Sequence, residues 1–284
     1  FRKIKGWFFS GGIVVLLKRL DKLEESDFAL FRTSFESGRQ TPDNLRNVLI
    51  LGIIGQLLSG FGIFAAADPT MHPEYNKAIL LSIQYILTFI LIICSIIFSI
   101  PAVYRNYQTG QLIVASLMLL NFISIFPYFA ALFMLVRTVS LSEKAFFILA
   151  IGMLLLGISF LIAILVRLQR SLANGDFRRE SKKHNYEKVL KRERSTFSKL
   201  PEFIIAATGF VFILEFLLEG FLSGDIENMI FVILFFAVFF MGMYLFAYSV
   251  ISIYCKKRFS SFNFDKEGNL QPWGSGDRKK RDIV

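Results

Sequence analysis

Apolar positions in this chain gather into six long runs, at roughly 47–67, 78–103, 111–136, 145–166, 203–222 and 229–254. A helix crossing a hydrocarbon core needs about 20 consecutive, mostly apolar residues, and each run meets that length. The first and second, third and fourth, and fifth and sixth runs are joined by DPTMHPEYNK, RTVSLSEK and SGDIEN. Connections this short return the chain as antiparallel neighbours. The pattern predicts an all-α, polytopic integral membrane protein, with six transmembrane helices in three antiparallel hairpins.

Outside the runs the pattern changes. Residues 6–17 (GWFFSGGIVVLL) are apolar but too short to cross, and bases flank them on both sides. They read as an N-terminal interfacial helix with Trp7, Phe8 and Phe9 at headgroup depth. In DFALFRTSF, Phe28, Phe31 and Phe35 recur at three- and four-residue spacing, which makes one apolar helix face. Between the fourth and fifth runs, RLQRSL extends the fourth helix until Asn174-Gly175-Asp176 breaks it. Residues 185–200 are helical in pattern again. The chain thus divides into an amphipathic cytoplasmic or interfacial segment (1–46), a membrane bundle (47–254) with a cytoplasmic loop at 167–200, and a basic cytoplasmic tail (255–284).

Charge adds orientation. Of 32 lysines and arginines, 29 fall in the N-terminal segment, the second-to-third connection, the loop 167–200 and the tail. Only Lys77, Arg137 and Lys144 fall in the three short connections on the other side. Basic residues concentrate on the cytoplasmic side of membrane proteins, so both termini are expected inside, in a cell (plasma) membrane. The bias toward Phe, Ile and Lys with short loops points to a bacterial source. A net charge of +10 would otherwise invite a nucleic-acid partner. Here the charge follows membrane sidedness, so no nucleic acid is expected. Lys182, Lys183, Lys188, Lys191, Arg192 and Arg194 are instead the candidates for contact with the anionic inner leaflet or with a partner. Other membrane or cytoplasmic subunits are expected as partners.

Candidate chemistry inside the runs is sparse. Glu215 and Glu219 lie four apart on one face of the fifth run, and ionisable groups at membrane depth often mark an ion or proton route. Gly52, Gly55, Gln56, Ser59 and Gly60 make a small-residue stretch in the first run, suited to close helix packing. Gln84 and Asn121 are isolated amides in the second and third runs, and Pro127 should kink the third. His72 and His184 sit on opposite sides, and no metal-ligand spacing, nucleophile motif or phosphate loop occurs. Neither catalysis, cofactor nor metal is expected. The expected role is a non-enzymatic subunit, scaffold or immunity-type protein of a larger membrane assembly. The alternative is a permease or channel subunit moving a solute, lipid or peptide, with a separate ATPase docking on the cytoplasmic loops.

Overall fold

The computed structural model describes residues 20–66, 77–139, 142–198 and 224–274, and every regular element within them is helical. A 3-10 turn at Glu25–Phe28 leads into α1 (Ala29–Glu36), and α2 follows at Pro42–Ala66. Thr41 starts α2 by accepting the Asn44 amide at 3.3 Å on its hydroxyl. Pro42, at the first helical position, lacks only a donor that would have no partner there. Next come α3 (Lys77–Phe98) and the single-turn α4 (Pro101–Tyr104). A long helix then runs as α5 (Gln108–Leu120), a π-helical turn (Asn121–Ile125) and α6 (Phe126–Thr138). It is followed by α7 (Glu143–Ala173), α8 (Tyr186–Ser198) and α9 (Gly224–Arg258).

Five of these helices are long and apolar enough to cross a membrane: α2, α3, the α5–α6 helix, α7 and α9. The run 203–222, with Glu215 and Glu219, lies outside the described residues, as do the segment 1–19 and its expected interfacial helix. α2, α3 and α5 pack mutually, and α9 and α7 extend from them on the other side. α3 packs on α2, α2 on α5 and α6, those on α9, and α9 on α7. The α5–α6 helix is central, with 50% of its most apolar stretch buried, against 17–22% for the others. Leu57, Phe61, Phe64 and Ile86 stay exposed, as an apolar exterior suited to lipid requires.

Pro127 accounts for the π turn. Proline has no amide hydrogen, and its ring crowds the carbonyl four residues back, here that of Ile123. The widened turn carries the chain past this conflict, with Phe126 donating to the Asn121 carbonyl. α9 seats against the defect at Gly242. A Cβ there would lie 2.1 Å from the Ser124 Oγ and 3.0 Å from the Ile123 carbonyl, so only glycine lets the two backbones approach this closely. Ser124 in turn donates to the Phe239 carbonyl at 3.0 Å. Consecutive helices therefore need not be the main packing partners. α7 runs along α9, and it meets α6 where the Tyr128 hydroxyl donates to the Ala150 carbonyl at 2.8 Å.

One end of the bundle carries a packed cap. Segment 20–41, the turns after α7 and residues 259–274 all gather there. α7 stops as the sequence pattern requires: Gly175 takes a φ of +74°, and the Asp176 amide reaches back to the Ser171 carbonyl at 3.0 Å. Phe28, Phe31 and Phe35 share one core with Leu168 and Leu172 of α7, Ile251 and Cys255 of α9, and Phe262 and Phe264. The segment expected as a basic tail is thus, over 259–274, an integral layer of the cap. Its phenylalanines bury where the surrounding bases alone would have stayed solvated. Cys94 and Cys255 are free thiols.

Candidate functional site

Two polar constellations stand out, one inside the bundle and one in the cap. In the bundle, α2 contributes Gln56, α3 contributes Gln84 and Thr88, and the π turn contributes Asn121; all four are buried. The Asn121 side-chain amide donates to Gln56 Oε1 at 2.5 Å and to Thr88 Oγ1 at 3.3 Å. Gln84 Nε2 donates to Asn121 Oδ1 at 3.2 Å and to Thr88 Oγ1 at 3.3 Å. Gln56 Nε2 donates to the Met118 carbonyl at 3.1 Å. Among these side-chain atoms Gln84 Oε1 is buried without a partner. Burying amides costs several kcal/mol unless they bond one another, about 2–7 depending on the reference, and this cluster answers that cost by pairing across three helices.

The small residues of α2 frame the cluster. A Cβ on Gly52 would fall 2.0 Å from the Met118 sulfur, and one on Gly55 would touch the Phe122 ring at 3.5 Å. Ser59 is buried and donates to the Gln56 carbonyl at 2.9 Å. Gly60 faces Tyr85, whose hydroxyl reaches the Gly60 carbonyl at 3.5 Å. Beside them a lateral groove of about 670 Å³ opens between α2 and α3. Gln56 and Thr88 lie among its otherwise apolar lining, with Phe61, Phe64, Tyr85 and Phe89.

The cap is organised by Arg32, which is buried. Its Nε donates to Glu36 Oε1 at 2.8 Å, Nη1 to the Ser261 carbonyl at 2.9 Å and Nη2 to the Gln271 carbonyl at 2.8 Å. Trp273 lies over its guanidinium, 4.5 Å from the ring centre. The same Glu36 accepts the Tyr186 hydroxyl at 2.6 Å, and Arg39 pairs with Glu193 at 2.8 Å, so α8 is fastened once to α1 and once to the turn that follows it. Burial and then the Glu36 bond raise the Tyr186 pKa above the ordinary phenol value. Arg178 holds Asp27 at 2.6 Å, and that bond raises the arginine's own pKa. Lys183 pairs with Asp176 at 2.7 Å and lowers the Asp176 pKa. At the same end, the Asp43 bond raises the Tyr104 pKa.

All six basic candidates, Lys182, Lys183, Lys188, Lys191, Arg192 and Arg194, are exposed at this end. The structure brings together Gln56, which the sequence places in the small-residue packing stretch, with Gln84 and Asn121, which it shows only as isolated amides. Thr88 was missed, although it lies one turn from Gln84 on the same helical face. Arg32 and Glu36 carried a weaker signal, as an oppositely charged pair four apart inside an amphipathic stretch. Among the described residues no group of three His, Cys, Asp or Glu side chains is placed to hold a metal ion. No protein-family model, no curated protein and no solved structure matches this chain.

Proposed function

We propose that the chain is a non-enzymatic, multi-spanning subunit of a larger membrane assembly, and that it acts through the contacts of its cap and its lipid-embedded faces. The observation that carries this reading is the cap itself. Three separate stretches of chain pack into one ordered layer, joined by Arg32 to the Ser261 and Gln271 carbonyls, Arg178 to Asp27 and Tyr186 to Glu36, and that layer presents a basic surface. The amides within the bundle bond one another across helices, with only one Gln84 oxygen left over among them, which suits a holding role.

The reading includes six crossings in three hairpins, with both termini cytoplasmic, in a plasma membrane of bacterial type. Its support is the charge asymmetry, 29 of 32 bases in alternate segments. Impermeant cysteine labelling in intact cells should modify a cysteine placed at Ser140 and spare one at Ser181. The reverse pattern would overturn the topology. For the function, the protein should purify in mild detergent as a stoichiometric member of a fixed set of membrane subunits. Recovery of a lone chain with full cellular activity would contradict it.

A second reading, a permease or channel subunit, rests on the π turn with Pro127 and on the lateral groove, two of whose lining residues, Gln56 and Thr88, are bonded to Asn121 of that turn. Helix defects of this kind are where membrane helices bend. A stoichiometric ATPase in the purified complex, or solute flux in proteoliposomes, would favour it.

A further inference from the structure

We infer that the outward face of α8 is an electrostatic docking surface for the anionic headgroups of the leaflet beside the cap. This rests on the proposed reading in which 203–222 crosses the membrane. At 100° per residue, Lys188, Lys191, Arg192 and Arg194 fall within an arc of about 160°, and all four are exposed. Lys182, in the turn before the helix, is exposed too. The opposite face is occupied. Tyr186 is buried with its hydroxyl on Glu36, Val189 and Leu190 are half-buried, and Glu193 is bonded to Arg39.

That arrangement decides the mode of contact. A helix that dips into the interface needs a free apolar face, and the apolar face of α8 is already packed on α1. Charge is what remains. Three of the four acids in 167–200 are engaged, Glu193 with Arg39, Glu187 with Arg179 and Asp176 with Lys183, and the exposed Glu187 and Glu180 are outnumbered by the five bases. A protein partner usually demands an apolar core within its docking patch. No described residue of α8 is an exposed large apolar side chain. The surface therefore fits headgroups better than a protein.

Distance permits this contact. α8 ends at Ser198, and five further residues, a reach of at most about 18 Å, bring the chain to the apolar run beginning at 203. The helix itself is about 20 Å long. It packs on α1, which shares its core with the last turns of α7 and α9. With α1 between α8 and those helices, the basic row on the far side of α8 stands about two helix diameters, roughly 20 Å, from the membrane bundle.

The test is hydrogen exchange of the α8 amides in the full-length protein. It is reconstituted in nanodiscs of phosphatidylcholine, or with one-third phosphatidylglycerol. Exchange should slow by about tenfold or more in the anionic discs at low salt, because several bases act together at a charged surface. High salt should abolish the slowing. A variant with Lys182, Lys188, Lys191, Arg192 and Arg194 changed to glutamine should exchange alike in both discs, with α1 amides protected as in the wild type. Should that variant fail to fold, the wild-type dependence on lipid charge and salt decides alone. Equal wild-type exchange in both discs overturns the inference, as does slowing that survives the five glutamines. So does slowing by polyglutamate in neutral discs with none from anionic lipid, which would assign the face to an acidic protein. Failure of the topology itself would register separately, as labelling at Ser181.

Discussion

The Tyr186 hydroxyl donates to Oε2 of Glu36 at 2.6 Å, and this bond fastens α8 to α1. The other oxygen of the same carboxylate accepts from Arg32 Nε, whose remaining nitrogens hold the Ser261 and Gln271 carbonyls. One acid thus links the basic helix to the C-terminal layer. A load placed on α8 is passed to residues 259–274 through two side chains, both largely buried.

Replacing Tyr186 by phenylalanine keeps the packing and removes the bond. A hydrogen bond to a charged group is worth about 1.5–3 kcal/mol, so the α8 amides of Tyr186→Phe should exchange at least tenfold faster. The α5 amides should be unchanged. Equal exchange in α8 would show that packing alone holds the helix.

The same contact predicts alkaline weakening. The Tyr186 and Tyr104 pKa values are raised in the folded protein, so their bonds stabilise fully below the unfolded value, about 10, and lose that contribution as pH rises beyond it. Asp176 behaves oppositely. Its lowered pKa gives stability above about pH 4 that fades as pH falls through the folded value. Limited proteolysis of the cap should therefore quicken at both extremes, and Tyr186→Phe should flatten the alkaline limb. A limb left intact in that variant would place its cause elsewhere.

Arg32→Met should release the C-terminal layer. It strips Glu36 of its guanidinium and leaves two carbonyls without donors, a loss of about 3 kcal/mol for a partly buried pair. Arg32→Lys should rescue little, because an ammonium cannot reproduce the forked geometry. The check is protease trimming of 259–274 with the membrane helices intact. A tail as resistant as the wild type would remove Arg32 from the role assigned to it.

Much of this architecture was legible as pattern. The apolar runs appear as long helices wherever the chain is described, and the break at Asn174-Gly175-Asp176 is present as a glycine-terminated helix end. Boundaries shifted: α2 begins at Pro42, inside the stretch first assigned to the N-terminal segment, because Thr41 caps it. Pro127 signalled a defect without its form, since a kink and a π turn remove the same hydrogen bond. What periodicity does not encode is rotation about each helix axis. Gln56, Gln84 and Asn121 were visible as amides in apolar runs, but their meeting depends on how three helices turn toward one another. The cap was hidden for a related reason: Phe262 and Phe264 lie in a charged segment too short for any period to show.

The amide cluster should respond to truncation unequally. Asn121→Leu removes the bonds to Gln56 and Thr88 and the acceptor for Gln84, so it should cost most, about 2 kcal/mol. Gln84→Leu also removes an orphaned oxygen and should cost least. Replacing all three by leucine should cost less than the sum of the singles, because no amide is then left unpaired. Thermal unfolding in detergent measures each. Strictly additive losses would mean the bonds form independently and no cluster exists in energetic terms.

Gly242→Ala tests the seat of α9 on the π turn. The added methyl meets the Ser124 oxygen at 2.1 Å and the Ile123 backbone at 3.0 Å, and overpacking of this kind costs about 1–3 kcal/mol. Removing the hydroxyl as well, in Gly242→Ala with Ser124→Ala, should restore part of the loss. The backbone contact remains in that double variant, and the bond to Phe239 is gone, so recovery should stay incomplete. Gly152→Ala is the control: nothing lies within 4 Å of its Cβ, and exchanging glycine for alanine in a helix gains up to about 1 kcal/mol. Thermal melts in detergent should therefore move in opposite directions for Gly242→Ala and Gly152→Ala. If both rise, α9 does not pack on the π turn at the distance described, and the centre of the bundle would need a different account.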